Sequence, residues 1–235
     1  MEWKIVHLDE VPSTNNWLLE HGGKDRTIVV ADYQTAGRGC GTNSWESERG
    51  KNLLFSMLIH PAEIPASKQF YVSMMTANSI SKVVTSYVRD VSVKWPNDIY
   101  VGDRKICGIL IQNTLQGSAI KNSIIGVGLN VNQLCFESDA PNPVSLANLT
   151  GRLHDREMVL RQLTEAFEAE WADWEGVRSR YLSLLYRRKG FHRYRDGHGE
   201  LMAELVTVED DGRLQLRDVD GHTRHYAFKE VQFII

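Results

Sequence analysis

Along the first half of the chain the apolar residues fall into short runs rich in β-branched side chains. These occupy Ile5 to Leu8, Thr27 to Ala31, Asn52 to Ile59 and Val91 to Trp95, then Ile106 to Gln112 and Ser123 to Val131. Branching at Cβ restricts χ1 and suits a pleated, half-buried surface, so each run predicts a strand. Between them the period changes. From Gln69 to Val88 the residues Phe70, Met74, Ala77, Ile80, Val84 and Val88 stand three and four apart, the stripe of an amphipathic helix packed on a sheet. Glu157 to Leu185 repeats that spacing through Leu160, Leu163, Phe167, Trp171, Trp174 and Tyr181, which predicts a second long helix. Methionines and tryptophans in such stripes fill cores, and no function is assigned to them.

The texture shifts after Gly190. Leu201 to Val208, Arg213 to Leu216, His222 to Phe228 and Val231 to Ile235 read as short strands, separated by Asp211-Gly212 and Asp220-Gly221. An Asp-Gly pair supplies the positive φ that a tight hairpin needs. A β module of about 45 residues is too small to hold much core alone and is expected to lean on its neighbour. The fold class expected is α+β, with a small C-terminal β module.

A chain of 235 residues accommodates one sizeable domain, or one domain and an appendage. A hydrophobic fraction of 42% and a charged fraction of 24% are those of an ordinary globular protein. The net charge of -3 gives no sign of a polyanion-binding surface, and Arg187-Arg188-Lys189 reads as a solvated face. No apolar stretch approaches the roughly 18 residues of a membrane span, and the first residues lack a signal-peptide core. Cys40, Cys107 and Cys135 are odd in number and scattered, which suits a reducing cytoplasm. No spacing suggests zinc or another resident metal. A cytoplasmic protein without DNA or membrane partners is expected.

Candidate chemistry gathers in a few segments. In Gly37-Arg38-Gly39-Cys40-Gly41-Thr42-Asn43-Ser44-Trp45, three glycines in five positions make a loop whose amides can approach a ligand, with Arg38 beside them. The Gly-Lys-Ser/Thr of a P-loop and the helix start of a dinucleotide fingerprint are both missing, so an ordinary mobile turn stays open. Lys94-Trp95-Pro96-Asn97-Asp98 ends a strand in turn formers. Asp103-Arg104-Lys105 reads as a charged hairpin tip, where a lysine is ordinarily solvated. In Gly126-Val127-Gly128-Leu129-Asn130 glycine alternates along a strand, leaving room on one face for a ligand, or else for close packing against the long helix. Ser13-Thr14-Asn15-Asn16 precedes Trp17-Leu18-Leu19 as a helix start, for which capping by Ser13 is a sufficient account.

Taken together, Ser-Thr-Asn, Gln-x-Ala-Gly-Arg-Gly ending in Ser-Trp, Lys-Trp-Pro-Asn-Asp, Lys-x-x-Gly-Ile-Leu and Gly-x-Gly-x-Asn, in that order, closely resemble the biotin protein ligase family over residues 5 to 132. The resemblance implies a class II aminoacyl-tRNA synthetase-like catalytic domain over 1–187, a mixed sheet with packing helices, and an SH3-like β domain over 188–235. It implies ATP and biotin as substrates, with Mg2+ accompanying ATP, and a biotin carboxyl carrier protein or domain as acceptor. Residue by residue, Ser13, Thr14, Asn15 and Gln34 match biotin-binding positions, with hydroxyl and amide partners for a neutral urea. Arg38, Gly39 and Cys40 lie in the loop over the biotin carboxylate and the ATP phosphates. Trp45 offers a flat face, Asn97 and Asn130 belong with the nucleotide, and Lys105 matches the family's active-site lysine. Asp98 stands where the carrier lysine would be oriented, so Lys105, Arg38 and Asp98 are the candidate catalytic residues.

One departure bears on the chemistry. The commoner family loop carries a second arginine where this chain has Cys40, and Gly41 and Thr42 depart as well. A thiol supplies neither permanent charge nor a guanidinium fork. The expectation is weaker retention of biotinyl-AMP, or compensation by another basic residue such as Lys51. No histidine is tied to Cys40 by a motif, which argues against a catalytic thiol. Rival classes are a biotin-responsive repressor, a lipoate-type acyl ligase and a non-catalytic biotin-binding module. The motifs begin at Ser13, leaving no room ahead of them for a helix-turn-helix, so the enzyme-only form is expected, as a monomer or weak homodimer.

Overall fold

The computed structural model describes residues 2–41, 43–137 and 142–235, so the departure at Thr42 falls outside the described residues. Strand β1 (Lys4–Val11) leads into helix α1 (Thr14–His21) and returns as β2 (Thr27–Gln34). Then come β3 (Leu53–Ile59), α2 (Phe70–Thr85), β4 (Val91–Lys94), β5 (Asp98–Val101), β6 (Arg104–Gln116) and β7 (Ala119–Leu129). Helices α3 (Leu146–Thr150), α4 (Arg156–Ala172) and α5 (Val177–Ser183) follow. The chain ends in β8 (Phe191–Asp196), β9 (Gly199–Val208), β10 (Leu214–Asp218), β11 (Thr223–Tyr226) and β12 (Val231–Phe233).

The first seven strands form one sheet in the order β1-β2-β3-β7-β6-β5-β4. Only the β1–β2 pair is parallel, as its connection through α1 requires, so the sheet is mixed. Strand β3 is buried along its whole length, and its alternate residues serve two layers. Phe55 and Met57 join Ile28, Val30, Ile125 and Val127 in the main core under α2 and α4. Leu58, with Val29 and Ile124, closes over Leu18 of α1. The same face carries Ser56, Gly126 and Gly128, where small residues replace the apolar ones and the second layer opens. Among the described residues no helix is long and apolar enough to cross a membrane.

The second long helix of the sequence reading is two helices. At Asp173 the backbone turns to φ -127°, ψ 50°, and Trp174–Gly176 forms a 3-10 turn before α5. Arg180 of α5 reaches back to the carboxylates of Glu170 and Asp173, and a side chain at Gly176 would strike Asp173 Oδ2 at 2.6 Å. The apolar stripe runs on through the break, which is why periodicity alone overlooks it. Helix α1 also corrects its expectation: Ser13 sits extended at the N-cap but makes no capping bond. The amide of Thr14 is met instead by Gln34 Oε1 at 2.8 Å.

The last five strands form an antiparallel sheet, β11-β10-β9-β8-β12, with Gly212 (φ 93°) and Gly221 (φ 87°) in the expected Asp-Gly turns. Its apolar residues Tyr194, Leu205, Leu214 and Phe233 are continuous with the main core. Polar contacts from the β4–β5 turn, α5 and α2 also hold the C-terminal sheet in place. Trp95 Nε1 donates to Gly212 O at 2.9 Å, Arg178 Nη2 to Val208 O at 2.9 Å, and Tyr71 Oη to Asp210 Oδ1 at 2.9 Å. Gly212 is pressed on Phe70, whose ring lies 2.5 Å from where a Cβ would stand.

Candidate functional site

The open part of the second layer is a cavity of about 1010 Å3, bounded on one side by the large sheet and on the other by the C-terminal sheet. Every site residue picked out in the sequence lines it: Ser13, Thr14, Asn15, Gln34, Arg38, Gly39, Cys40, Trp45, Asn97, Asp98, Lys105 and Asn130. They come from the start of α1, the end of β2, the glycine loop, the β4–β5 turn, the start of β6 and the end of β7.

At the α1 end the lining is neutral, polar and buried. Ser56 Oγ is fully buried, 2.7 Å from Thr14 Oγ1 and 2.5 Å from Asn15 Oδ1. Thr14 donates both its amide and its hydroxyl to Gln34 Oε1, and the amide group of Asn15 donates to Leu110 O and Gln112 Oε1 at 3.2 Å each. Gln34 therefore spends its carbonyl within the protein and keeps its N–H groups for the cavity. Asn15 rests on Gly126, where a Cβ would collide with its amide.

The alternating glycines have different occupants: Gly126 lies under Asn15, while Gly128, with Gly108 of β6, makes a floor for Trp45. Gly108 and Gly128 are cross-strand partners, and the indole lies over both. A Cβ at Gly108 would meet Trp45 Cζ3 at 2.8 Å, and one at Gly128 would overlap the pyrrole edge. The loop bringing Trp45 there is itself paired, with Trp45 N donating to Gly37 O at 2.9 Å and Gly39 N to Asn43 O at 2.7 Å. Two buried polar atoms on this wall, Trp45 Nε1 and Asn130 Oδ1, have no protein partner among the described residues. Such groups are costly unless a ligand or water meets them.

The other end is charged. Lys105 is not a solvated hairpin residue: its Nζ is 2.7 Å from Asp98 Oδ1 and lies over the Trp45 ring, 5.6 Å from the centroid. Asn97 donates to Ile109 O at 2.8 Å and to Cys40 Sγ at 3.4 Å. Burial, with Asp98 next in effect, holds the Cys40 thiol above the ordinary thiol range, so it is neutral near pH 7. Arg38 is exposed, with Nη1 3.4 Å from Asn16 Oδ1. Lys51 does not line the cavity and so is not the compensating cation; its carbonyl accepts from Asn132 N at the head of β3.

Sequence reasoning missed Ser56, which stands behind Thr14 and Asn15, and in the lining itself Lys94 and the C-terminal residues Phe228, Lys229, Val231, Gln232 and Phe233. Lys94 had a signal, since it opens Lys-Trp-Pro-Asn-Asp; its Nζ lies between the rings of Tyr100 and Phe233, at 5.3 and 5.1 Å, and burial lowers its pKa. The others carry no motif. Asp98 is engaged by Lys105, and Glu46 Oε1 accepts from Gln133 Nε2 and Glu137 N, so the cavity carboxylates do not form a ready cradle for a resident divalent ion. The cluster Asp218, Asp220 and His222 lies outside the cavity lining, and the Asp218 carboxylate is engaged by backbone amides and Arg224.

Comparison with known proteins places the same residues in context. Residues 7–130 match the model of the Biotin/lipoate A/B protein ligase family. The Bifunctional ligase/repressor BirA of Salmonella typhimurium is 32% identical over 92% of this chain and 75% of its own length. The biotin--[acetyl-CoA-carboxylase] ligase of Mycobacterium tuberculosis is 28% identical over 90% of this chain and 82% of its own. Among solved structures, the biotin protein ligase of Aquifex aeolicus in complex with biotin and ATP superposes with a TM-score of 0.82 at 24% identity, covering 98% of this chain and 99% of that one.

Proposed function

The chain belongs to the Biotin/lipoate A/B protein ligase family, and we propose that it is a biotin protein ligase that forms biotinyl-5'-AMP from biotin and ATP and passes the biotinyl group to a carrier lysine. The observation that carries this reading is the polarity of the cavity: a neutral hydrogen-bonding end at Thr14, Asn15 and Gln34, and a charged end at Lys105 and Asp98, with Trp45 between and Arg38 also in the lining. A bicyclic urea suits the first end. Its carbonyl accepts from the Gln34 amide, and its apolar sulfur ring and valeryl chain lie along the indole. The carboxylate then points to the cations.

In the first step a carboxylate oxygen attacks the α-phosphorus of ATP. The new C–O–P linkage forms as the bond from that phosphorus to the bridging oxygen breaks, and pyrophosphate leaves with the electron pair. Lys105 and Arg38 offset the charge that builds on the phosphate oxygens. Magnesium enters as part of the ATP substrate. Asn97 and Asn130 hold the nucleotide, where the unpartnered Asn130 Oδ1 accepts from an adenine amine. In the second step the neutral amine of a carrier lysine attacks the mixed anhydride carbonyl, and AMP leaves. Asp98 orients that amine and Lys105 together. The acceptor is a biotin carboxyl carrier protein or domain, modified in the cytoplasm. In this reading 1–187 performs the chemistry, and 188–235 completes the wall of its cavity.

The test is pyrophosphate exchange into ATP, followed by mass spectrometry of an apo-carrier domain. Biotin should support exchange, lipoate should not replace it, and the carrier should gain one biotinyl group. Exchange supported by lipoate and not by biotin would overturn the assignment.

A further inference from the structure

The glycine loop meets a cation that belongs to the other sheet. Lys229 lies in the turn between β11 and β12, with a left-handed backbone of φ 71°. Its ammonium is pressed against Gly41, also left-handed at φ 70°, on the side where a Cβ would point. The same side chain lines the cavity together with Cys40 and Arg38. Its charge is uncompensated: among the described residues no carboxylate lies within ion-pair distance of Lys229, and the neighbouring Glu230 turns its carboxylate to the amide of Ala227 at 2.7 Å. The ammonium also acts on the Cys40 thiol, opposing the effect of burial. Lys105, by contrast, is already paired with Asp98.

We propose that Lys229 is a phosphate-binding residue of the active site, contributed by the C-terminal sheet, which holds the phosphate of ATP and of biotinyl-AMP at the loop position where Cys40 offers no charge. This rests on the ligase reading above. The physical case is that a loop with one arginine and a neutral thiol has a single fixed charge for a polyanion. Lys229 adds a second, at a loop residue that has no side chain to exclude it. A lysine serves here as a point charge and needs no planar fork, which suits an approach from outside the loop.

The experiment compares Lys229→Asn, Lys229→Arg and the double variant Lys229→Asn with Cys40→Arg in the full chain. Asparagine removes the charge and tolerates the left-handed backbone, so the turn is kept. Thermal melts and circular dichroism establish that each variant is folded. Lys229→Asn should raise KM for ATP and the release rate of preformed biotinyl-AMP by about tenfold, with KM for biotin nearly unchanged. Lys229→Arg should stay near wild type. Cys40→Arg should restore most of the loss, because it returns a charge to the loop itself. A folded Lys229→Asn that keeps wild-type ATP KM and adenylate release overturns the proposal, and so does a loss that Cys40→Arg leaves untouched. A wild-type chain that fails to exchange pyrophosphate with biotin defeats the ligase reading instead, so the two failures are distinct.

Discussion

Lys105 is held by a carboxylate that is itself mostly buried, and it lies over an indole face, so its ammonium has few other places to go. That is the arrangement of a preorganised charge, which gains its advantage by needing no rearrangement as phosphate charge develops. Replacing it by alanine should lower biotin-dependent pyrophosphate exchange by about a hundredfold, with biotin affinity measured by calorimetry changing only a few-fold. A wild-type exchange rate would remove Lys105 from the chemistry. Cys40 makes the opposite prediction. Because burial keeps its thiol protonated, iodoacetamide near pH 7 should label the exposed Cys135 first, and peptide mapping would check the order. At this scale much was legible, because residues such as Gln34 and Lys105 sit in motifs whose order is itself the signal. Ser56 was not. A serine in the middle of an apolar strand has no neighbours in sequence that tell it from a core position; its role comes from Thr14 and Asn15, which are more than forty residues away.

Strands β6 and β7 show what an element contributes beyond its residues. Alternate glycines weaken a strand, yet here the paired Gly108 and Gly128 let an indole lie against the backbone. Gly128→Ala should push Trp45 off its floor, cost about 1–3 kcal/mol of stability, and raise the KM values for both biotin and ATP. Adding Trp45→Ala should recover part of the melting temperature while leaving activity low. If Gly128→Ala melted and exchanged like wild type, the floor would have no role. The glycine spacing was visible in the sequence, but its occupant was not, because Trp45 arrives through a loop with no period. Strands β5 and β8 went unpredicted for related reasons. Asp98–Val101 is four residues long and begins inside the Lys-Trp-Pro-Asn-Asp motif, while Phe191–Asp196 buries only Tyr194 among charged neighbours.

At the scale of the molecule the two sheets share one core, so they should unfold together. Far-ultraviolet circular dichroism and tryptophan fluorescence should give coincident denaturant curves, and two separated transitions would count against a shared core. Alkali should test the same region. Burial pushes the Tyr194 phenol up to about 12, and burial with the Asp196 contact does the same for Tyr226. In the unfolded chain a tyrosine ionises near pH 10. Between these values the unfolded chain sheds protons that the folded one retains, so stability is full below about pH 10 and falls as pH rises toward 12. Tyr194→Phe should flatten that decline in a melting series from pH 9 to 11. The sequence offered the C-terminal strands and their turns but not where they dock, since docking depends on pairs such as Trp95 and Gly212, 117 residues apart.

That pair constrains how the two parts can be recombined. Gly212 presents its carbonyl to Trp95, which stands next to Pro96-Asn97-Asp98, and its bare Cα to Phe70. The turn is thus a keyed joint, cut to one indole and one ring. A chimaera that swaps in another β module has to carry a glycine with the same positive φ at this point, whatever else it changes. Any other residue there would misalign the strand-end motif from which the active site is built.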